Sequence, residues 1–148
     1  MGNAGALEGV EPPVVLLKGV SKVYGSGHAA VRAVDSVDLA IQPQELALLL
    51  GPSGSGKTTL LSLVGGILRP STGDIHVAGA HLNALDVRQL AHFRLHRIGF
   101  VFQFFQLMSA LTARENVELV LRLAGRSSQD AKLRAEQLLQ RFGLAARQ

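Results

Sequence analysis

Gly51-Pro52-Ser53-Gly54-Ser55-Gly56-Lys57-Thr58 sets two fixed glycines, a lysine and a hydroxyl at the spacing G-x-x-x-x-G-K-[ST]. Glycines 51, 54 and 56 free the backbone from Cβ clashes, so successive N–H groups can turn inward as an anion-binding nest. The chemistry that follows is a grip on a chain of phosphates. A helix starting near Lys57 adds its positive end, and Lys57 reaches the β- and γ-phosphates as a compact charge. The Thr58 hydroxyl enters a magnesium shell, and Thr59 supports the α-phosphate. With this composition, a chance match has odds of roughly one in two hundred. The competing explanation is a plain Gly/Ser-rich turn of an α/β protein.

Such a loop needs a strand before it and a helix after it. Leu46 to Leu50 (LALLL) is continuously apolar, the pattern of a strand buried on both faces of a sheet, and Thr59 to Leu68 is an apolar helical stretch. Upstream, Val14 to Val20 reads as one strand, Val31 to Ile41 as a second, and Gly25-Ser26-Gly27 as the turn between them. Downstream, Gly73 to Val77 predicts a strand, Asp86 to Leu95 a helix, and Ile98 to Phe102 (IGFVF) a second buried strand. Ala113, Val117, Val120, Leu121 and Ala124 then fall on one helical face, as do Ala131, Ala135, Leu138, Leu139 and Phe142. Thr112 with Glu115 and Ser127 with Asp130 match capping patterns, and Gly143 suits a left-handed stop.

The chain has 148 residues, the length of one domain, with 47% hydrophobic and 18% charged residues and no cysteine. With a mean hydropathy of +0.25, it has enough apolar material for a core and too little charge for disorder. Its longest apolar stretch, Leu60 to Leu68, is interrupted by Ser62, Gly65 and Gly66 and is about half the roughly 20 residues that span a bilayer. The N-terminal MGNAGALEGVEPP lacks a basic and apolar leader, and Ala6 stands where N-myristoylation requires Ser or Thr, so a cytoplasmic chain is expected. Residues 1–74 carry a net charge of −1 and residues 75–148 a net charge of +5. Lys and Arg interspersed with carboxylates on helices describe a solvated surface better than a nucleic-acid face. His28, His76, His81, His92 and His96 show no metal spacing tied to carboxylates; the i, i+4 pair His92 and His96 fits a surface helix better than zinc.

From about Val14 onward the sequence resembles the ATP-binding subunit of an ABC transporter. The resemblance is carried by VSKVYGSG (Val20 to Gly27), LLGPSGSGKTTLL (Leu49 to Leu61), PSTGDIHVAG (Pro70 to Gly79), IGFVFQFFQL (Ile98 to Leu107) and LTARENV (Leu111 to Val117). Their wording is most similar to the branch serving lipoprotein-releasing and macrolide-export transporters. The resemblance implies that Tyr24, the only Tyr, stacks on adenine. By itself, Tyr24 could equally be core or turn packing. The resemblance also makes Gln103 the Q-loop glutamine, which positions magnesium and the attacking water; by itself, Gln103 is an ordinary loop residue. Phe104, Phe105, Leu107 and Met108 lie where the family docks its membrane partner, and about half of them are expected in the core. Ser109 stands where relatives commonly carry proline.

The implied fold is α/β, a P-loop NTPase of ABC type. It is expected as an incomplete one, with N-terminal antiparallel strands, P-loop core strands and the start of a helical subdomain. Residues 1–13 read as a tail and 14–148 as a partial nucleotide-binding domain, its core reaching about 103 and the helical part covering 104–148. The acids after Gln103 are Glu115, Glu118, Asp130 and Glu136, none following an apolar strand, and the only Gly-Gly pair is Gly65-Gly66. The Asp-Glu strand, the L-S-G-G-Q signature and the switch histidine are therefore not among these residues, and nucleotide binding without turnover is expected of them alone. The expected cofactors are ATP and Mg2+. The expected partners are a membrane-spanning permease subunit and a second ATP-binding subunit, at the inner face of the plasma membrane. The alternatives are a non-catalytic module pairing with a full-length subunit and an unrelated P-loop kinase or GTPase.

Overall fold

The computed structural model describes residues 11–145, in two units that divide between Arg94 and Leu95. In the first unit, the β-branched runs form an antiparallel sheet of order β2-β1-β3-β4, with β1 at Val15–Tyr24, β2 at Val31–Ile41, β3 at Thr72–Val77 and β4 at Ala80–His81. Residues alternate across a pleated strand, so Val15 and Leu17 turn to the core while Lys18 faces solvent. Leu17, Val20, Leu63 and Ile75 are the largest fully buried side chains, each contributing roughly 1.5–3 kcal/mol of hydrophobic stabilisation.

Two close approaches shape this sheet. Gly73 takes φ +84°, and a Cβ there would overlap the Gly19 carbonyl, so β3 can lie against the irregular middle of β1 only as glycine. On the other side of β1, Lys22 faces Val34 while Val23 faces Arg32, leaving Ala33 as an extra residue on β2. That is a β-bulge, which bends the strand and takes one residue out of the ladder.

Helix α1, Lys57–Val64, buries Leu60 and Leu63, and it contacts β2 and β3. It ends four residues before the expected Leu68, because Gly65 and Gly66 close it: their N–H groups bond to Leu61 and Leu63 carbonyls. Helix α2, Val87–Arg97, starts on a reciprocal pair in which the Gln89 N–H donates to Asp86 Oδ1 and the Asp86 N–H donates to Gln89 Oε1, both at 2.8 Å. Leu90 and Phe93 are its buried residues.

Two expectations are overturned. Leu46 to Leu50 and Ile98 to Phe102 are not strands, and they are not buried: Leu46 is 95% exposed and Val101 fully so. A strand buried on both faces needs ladder partners beside it and helices above and below. Among the described residues the sheet is antiparallel and includes neither segment, so both runs lie outside the ladder.

In the second unit, α3 (Ala113–Leu123) packs on α4 (Ser128–Arg141), which buries Ala131, Ala135 and Leu139 at a helical spacing. Both predicted caps form. The Thr112 N–H donates to Glu115 Oε2 at 2.8 Å and the Glu115 N–H to Thr112 Oγ1 at 3.2 Å, while Ser127 Oγ accepts from the Asp130 N–H at 3.1 Å. Arg114 bridges the helices, 3.0 Å from Glu118 and 3.7 Å from Glu136. Gly143, at φ +71°, makes the left-handed stop. Phe104, Phe105, Leu107 and Met108 are all exposed, so none of the four is core; the segment before α3 is tied down through polar contacts instead. Asn116 Oδ1 accepts the Met108 N–H, and its Nδ2 donates to the carbonyls of Met108, Leu111 and Thr112. Ser109 sits second in the turn closed by Leu111 N–H and Met108 C=O, the position where proline's fixed φ is favourable.

Candidate functional site: the phosphate-binding loop

The loop from Gly51 to Gly56 is held from both ends. At its C-terminal end Gly56 caps α1 at φ +87°, and a Cβ there would overlap the Ala33 carbonyl oxygen. The loop thus rests on the bulged residue of β2, whose backbone the bulge has displaced from the regular ladder. Across its middle, the Lys57 ammonium donates to the Gly51 carbonyl at 2.8 Å, the Pro52 carbonyl at 2.5 Å and Ser55 Oγ at 3.2 Å. All three donor positions of the ammonium are satisfied by the loop it follows.

Ala33 and residues Ser53 to Thr59 line a concavity of about 340 Å³. Thr58 is exposed in the first turn of α1, and Thr59 is half-buried beside it. The first turn carries no acidic residue, so the positive helix end and Lys57 face the concavity without an opposing carboxylate from that turn. This arrangement suits a phosphate chain: one compact cation, Lys57, and one hydroxyl, Thr58, line the concavity with the loop, and a Cβ at Gly56 would disturb the loop's seat. A second concavity of about 420 Å³ adjoins it, between β2 and Leu49 to Pro52, with Val34, Val37 and Leu60 in its lining.

Among the residues expected at the site, 53 to 59 line the phosphate concavity, while Gly51 and Pro52 line the adjoining one and accept from Lys57. Tyr24 lies in the same unit at the end of β1, paired with Val31 and 41% exposed, and it does not line the phosphate concavity. The Lys22 ammonium stands 5.4 Å from its ring centroid. Gln103 belongs to the second unit, on the exposed segment after Phe102, where the Phe100 and Phe102 rings stack at 5.4 Å. Among the described residues, no group of three His, Cys, Asp or Glu side chains could hold a metal ion, and His81 instead stacks on His76 and bonds Asp74 Oδ1 at 2.9 Å. No helix of the described residues is long and apolar enough to cross a membrane.

Sequence reasoning missed Ala33 and Asn116. A bulge leaves no mark on an alanine, so Ala33 was not identifiable. Asn116, inside LTARENV and in the second unit, sits four residues after the cap Thr112, a position from which its amide reaches the carbonyls of Met108, Leu111 and Thr112 before α3.

The ABC transporter family pattern matches residues 34–148. The chain belongs to the ABC transporter family. Its relatives include an uncharacterised ABC transporter ATP-binding protein of Mycobacterium bovis, 50% identical over 84% of this chain and 38% of that protein. The lipoprotein-releasing system ATP-binding protein LolD of Chromohalobacter salexigens is 39% identical over 90% of this chain and 57% of its own length. The macrolide export ATP-binding/permease protein MacB of Marinobacter nauticus is 40% identical over 91% and 21%. Among solved structures, the ATP-binding cassette MJ0796, a post-hydrolysis dimer bound to ADP and phosphate, superposes with a TM-score of 0.78 at 39% identity, over 85% of this chain and 56% of that one. This ABC sequence therefore spans between about a fifth and somewhat over half of these relatives. The fold class is the α/β ABC ATPase cassette expected from the motifs, and an unrelated kinase or GTPase is set aside.

Proposed function

We propose that these residues form the nucleotide-binding part of an ABC ATP-binding subunit that energises export or lipoprotein release. The observation that carries this reading is the loop of residues 51–56 seated on Ala33, with Lys57 and Thr58 at the head of α1. In the proposed site, the loop N–H groups hold the β- and γ-phosphates together with Lys57, whose ammonium exchanges its loop acceptors for phosphate oxygens, Thr59 steadies the α-phosphate, and Tyr24 offers its ring to adenine. Thr58 is the group of this unit proposed to hold magnesium, which would supply charge neutralisation on the phosphates when bound. Similarity to LolD, MacB and the dimeric cassette supports a second ATP-binding subunit and a membrane-spanning permease as the proposed partners, and the proposed location follows from that partnership: the inner face of the plasma membrane.

Calorimetric titration of the 148-residue chain with Mg-ATP tests the reading. Binding is expected in the wild type and is expected to disappear in Lys57→Ala. Equal affinity in the two proteins would overturn the phosphate site. Phosphate release is expected to stay at the level of that variant, because no Asp-Glu pair follows an apolar strand in these residues.

A further inference from the structure

We infer that Lys22 is a positioning residue for nucleotide binding, holding one face of the Tyr24 ring so that the other face is presented to the base. The inference rests on the reading of Tyr24 as the adenine platform. Residues two apart on a strand share a face, and the Lys22 ammonium lies 5.4 Å from the Tyr24 ring centroid, within cation–π range. That ammonium is itself fastened, donating to the Arg69 carbonyl at 2.8 Å. The next residues of the same segment grip β1 as well. The Ser71 N–H donates to the Ser21 carbonyl at 2.8 Å, and Ser71 Oγ accepts the Val23 N–H at 3.0 Å while donating back to the Val23 carbonyl at 3.4 Å.

The segment that follows α1 thus clamps the backbone on either side of Lys22, and Lys22 transmits that clamp to the ring. A ring at a strand end, 41% exposed, would otherwise swing freely about its side-chain torsions. A base stacking on a ring already fixed avoids the ordering cost of fixing it. Because Lys22 covers one face, only the opposite face remains for stacking. Its charge serves the ring and the Arg69 carbonyl, so its effect should follow the base and not the phosphates.

The chain contains one Tyr and no Trp, so its intrinsic emission reports on Tyr24 alone. The test titrates the full chain with ATP and, separately, with inorganic triphosphate, using emission and calorimetry for wild type, Lys22→Met and Lys22→Arg, and calorimetry alone for Tyr24→Leu, which keeps neither Tyr nor Trp. Lys22→Met is expected to raise the ATP dissociation constant about two- to fivefold and leave triphosphate affinity unchanged. Lys22→Arg, which keeps the cation, is expected to restore most of the loss. If Lys22→Met weakens triphosphate as much as ATP, Lys22 acts on the phosphates or on folding, and the inference is overturned. If Tyr24→Leu weakens ATP binding but Lys22→Met does not, the platform stands and the role of Lys22 fails. If Tyr24→Leu binds ATP like wild type, or the wild type binds no ATP, the platform reading fails and takes this inference with it.

Discussion

Replacing Gly56 by alanine tests whether the phosphate loop depends on its seat against β2, and Gly54→Ala supplies the internal control. Both glycines hold left-handed backbone, φ +87° and +80°, so a Cβ at either costs about 1–2 kcal/mol in local conformation. At Gly54 the added atom would meet nothing within 4 Å, so the cost stops there. At Gly56 it would overlap the Ala33 carbonyl oxygen, which is backbone and cannot swing aside. Relieving that overlap moves either the loop or the bulge, an overpacking cost of about 1–3 kcal/mol more. Urea unfolding followed by Tyr24 emission reads the first unit directly, because the only Tyr lies there. With a urea slope of about 1–3 kcal/mol/M, the extra cost should lower the Gly56→Ala midpoint by about 1 M relative to Gly54→Ala. Coincident midpoints for the two variants would refute the claim that the loop is packed on Ala33.

Two further outcomes are expected. The Glu115 carboxyl is held below the usual glutamate range, first by the Thr112 backbone N–H and then by the Thr112 side chain. A depressed folded value means that the capping contribution is present above the usual range and is lost as pH falls through the lowered value; helical circular dichroism should show an acid step that Glu115→Gln lacks, and identical acid titrations would count against it. Leu48 is 79% exposed in an apolar run outside the ladder, so Leu48→Lys should slow light-scattering growth of the 148-residue chain without changing its ATP affinity. An unchanged aggregation rate would show that this run does not drive association.

Much of the fold was readable because its signals are local. The P-loop spacing, the β-branched runs at β1 to β3 and the two helix caps each state their geometry within a few residues. LALLL and IGFVF were misread for the opposite reason: a continuous apolar run specifies burial only when neighbours arrive to bury it, and the run itself cannot report them. The cluster from Phe104 to Met108 misled in the same way, since hydrophobicity argued for core while Asn116 fixes that segment by polar bonds. Within the site, Gly56 was legible as a glycine but not as a contact, because its partner Ala33 carries no side-chain signal. The two-residue strand β4 was too short to leave a periodic trace.

The bulge at Ala33 sets the regularity of the sheet against the shape of the loop. A β2 without Ala33 would let the Lys22–Val34 and Val23–Arg32 pairs follow one another with no extra residue between them, removing this one of the irregularities along β1 and β2. The same straightening would withdraw the carbonyl on which Gly56 rests. Selection for thermal robustness alone would favour removing that residue, whereas selection for a shaped phosphate cradle would keep it. On the proposed phosphate-binding reading, the extra alanine gives up a regular ladder for the shape of the loop, so changes meant to regularise this sheet should be sought at other positions.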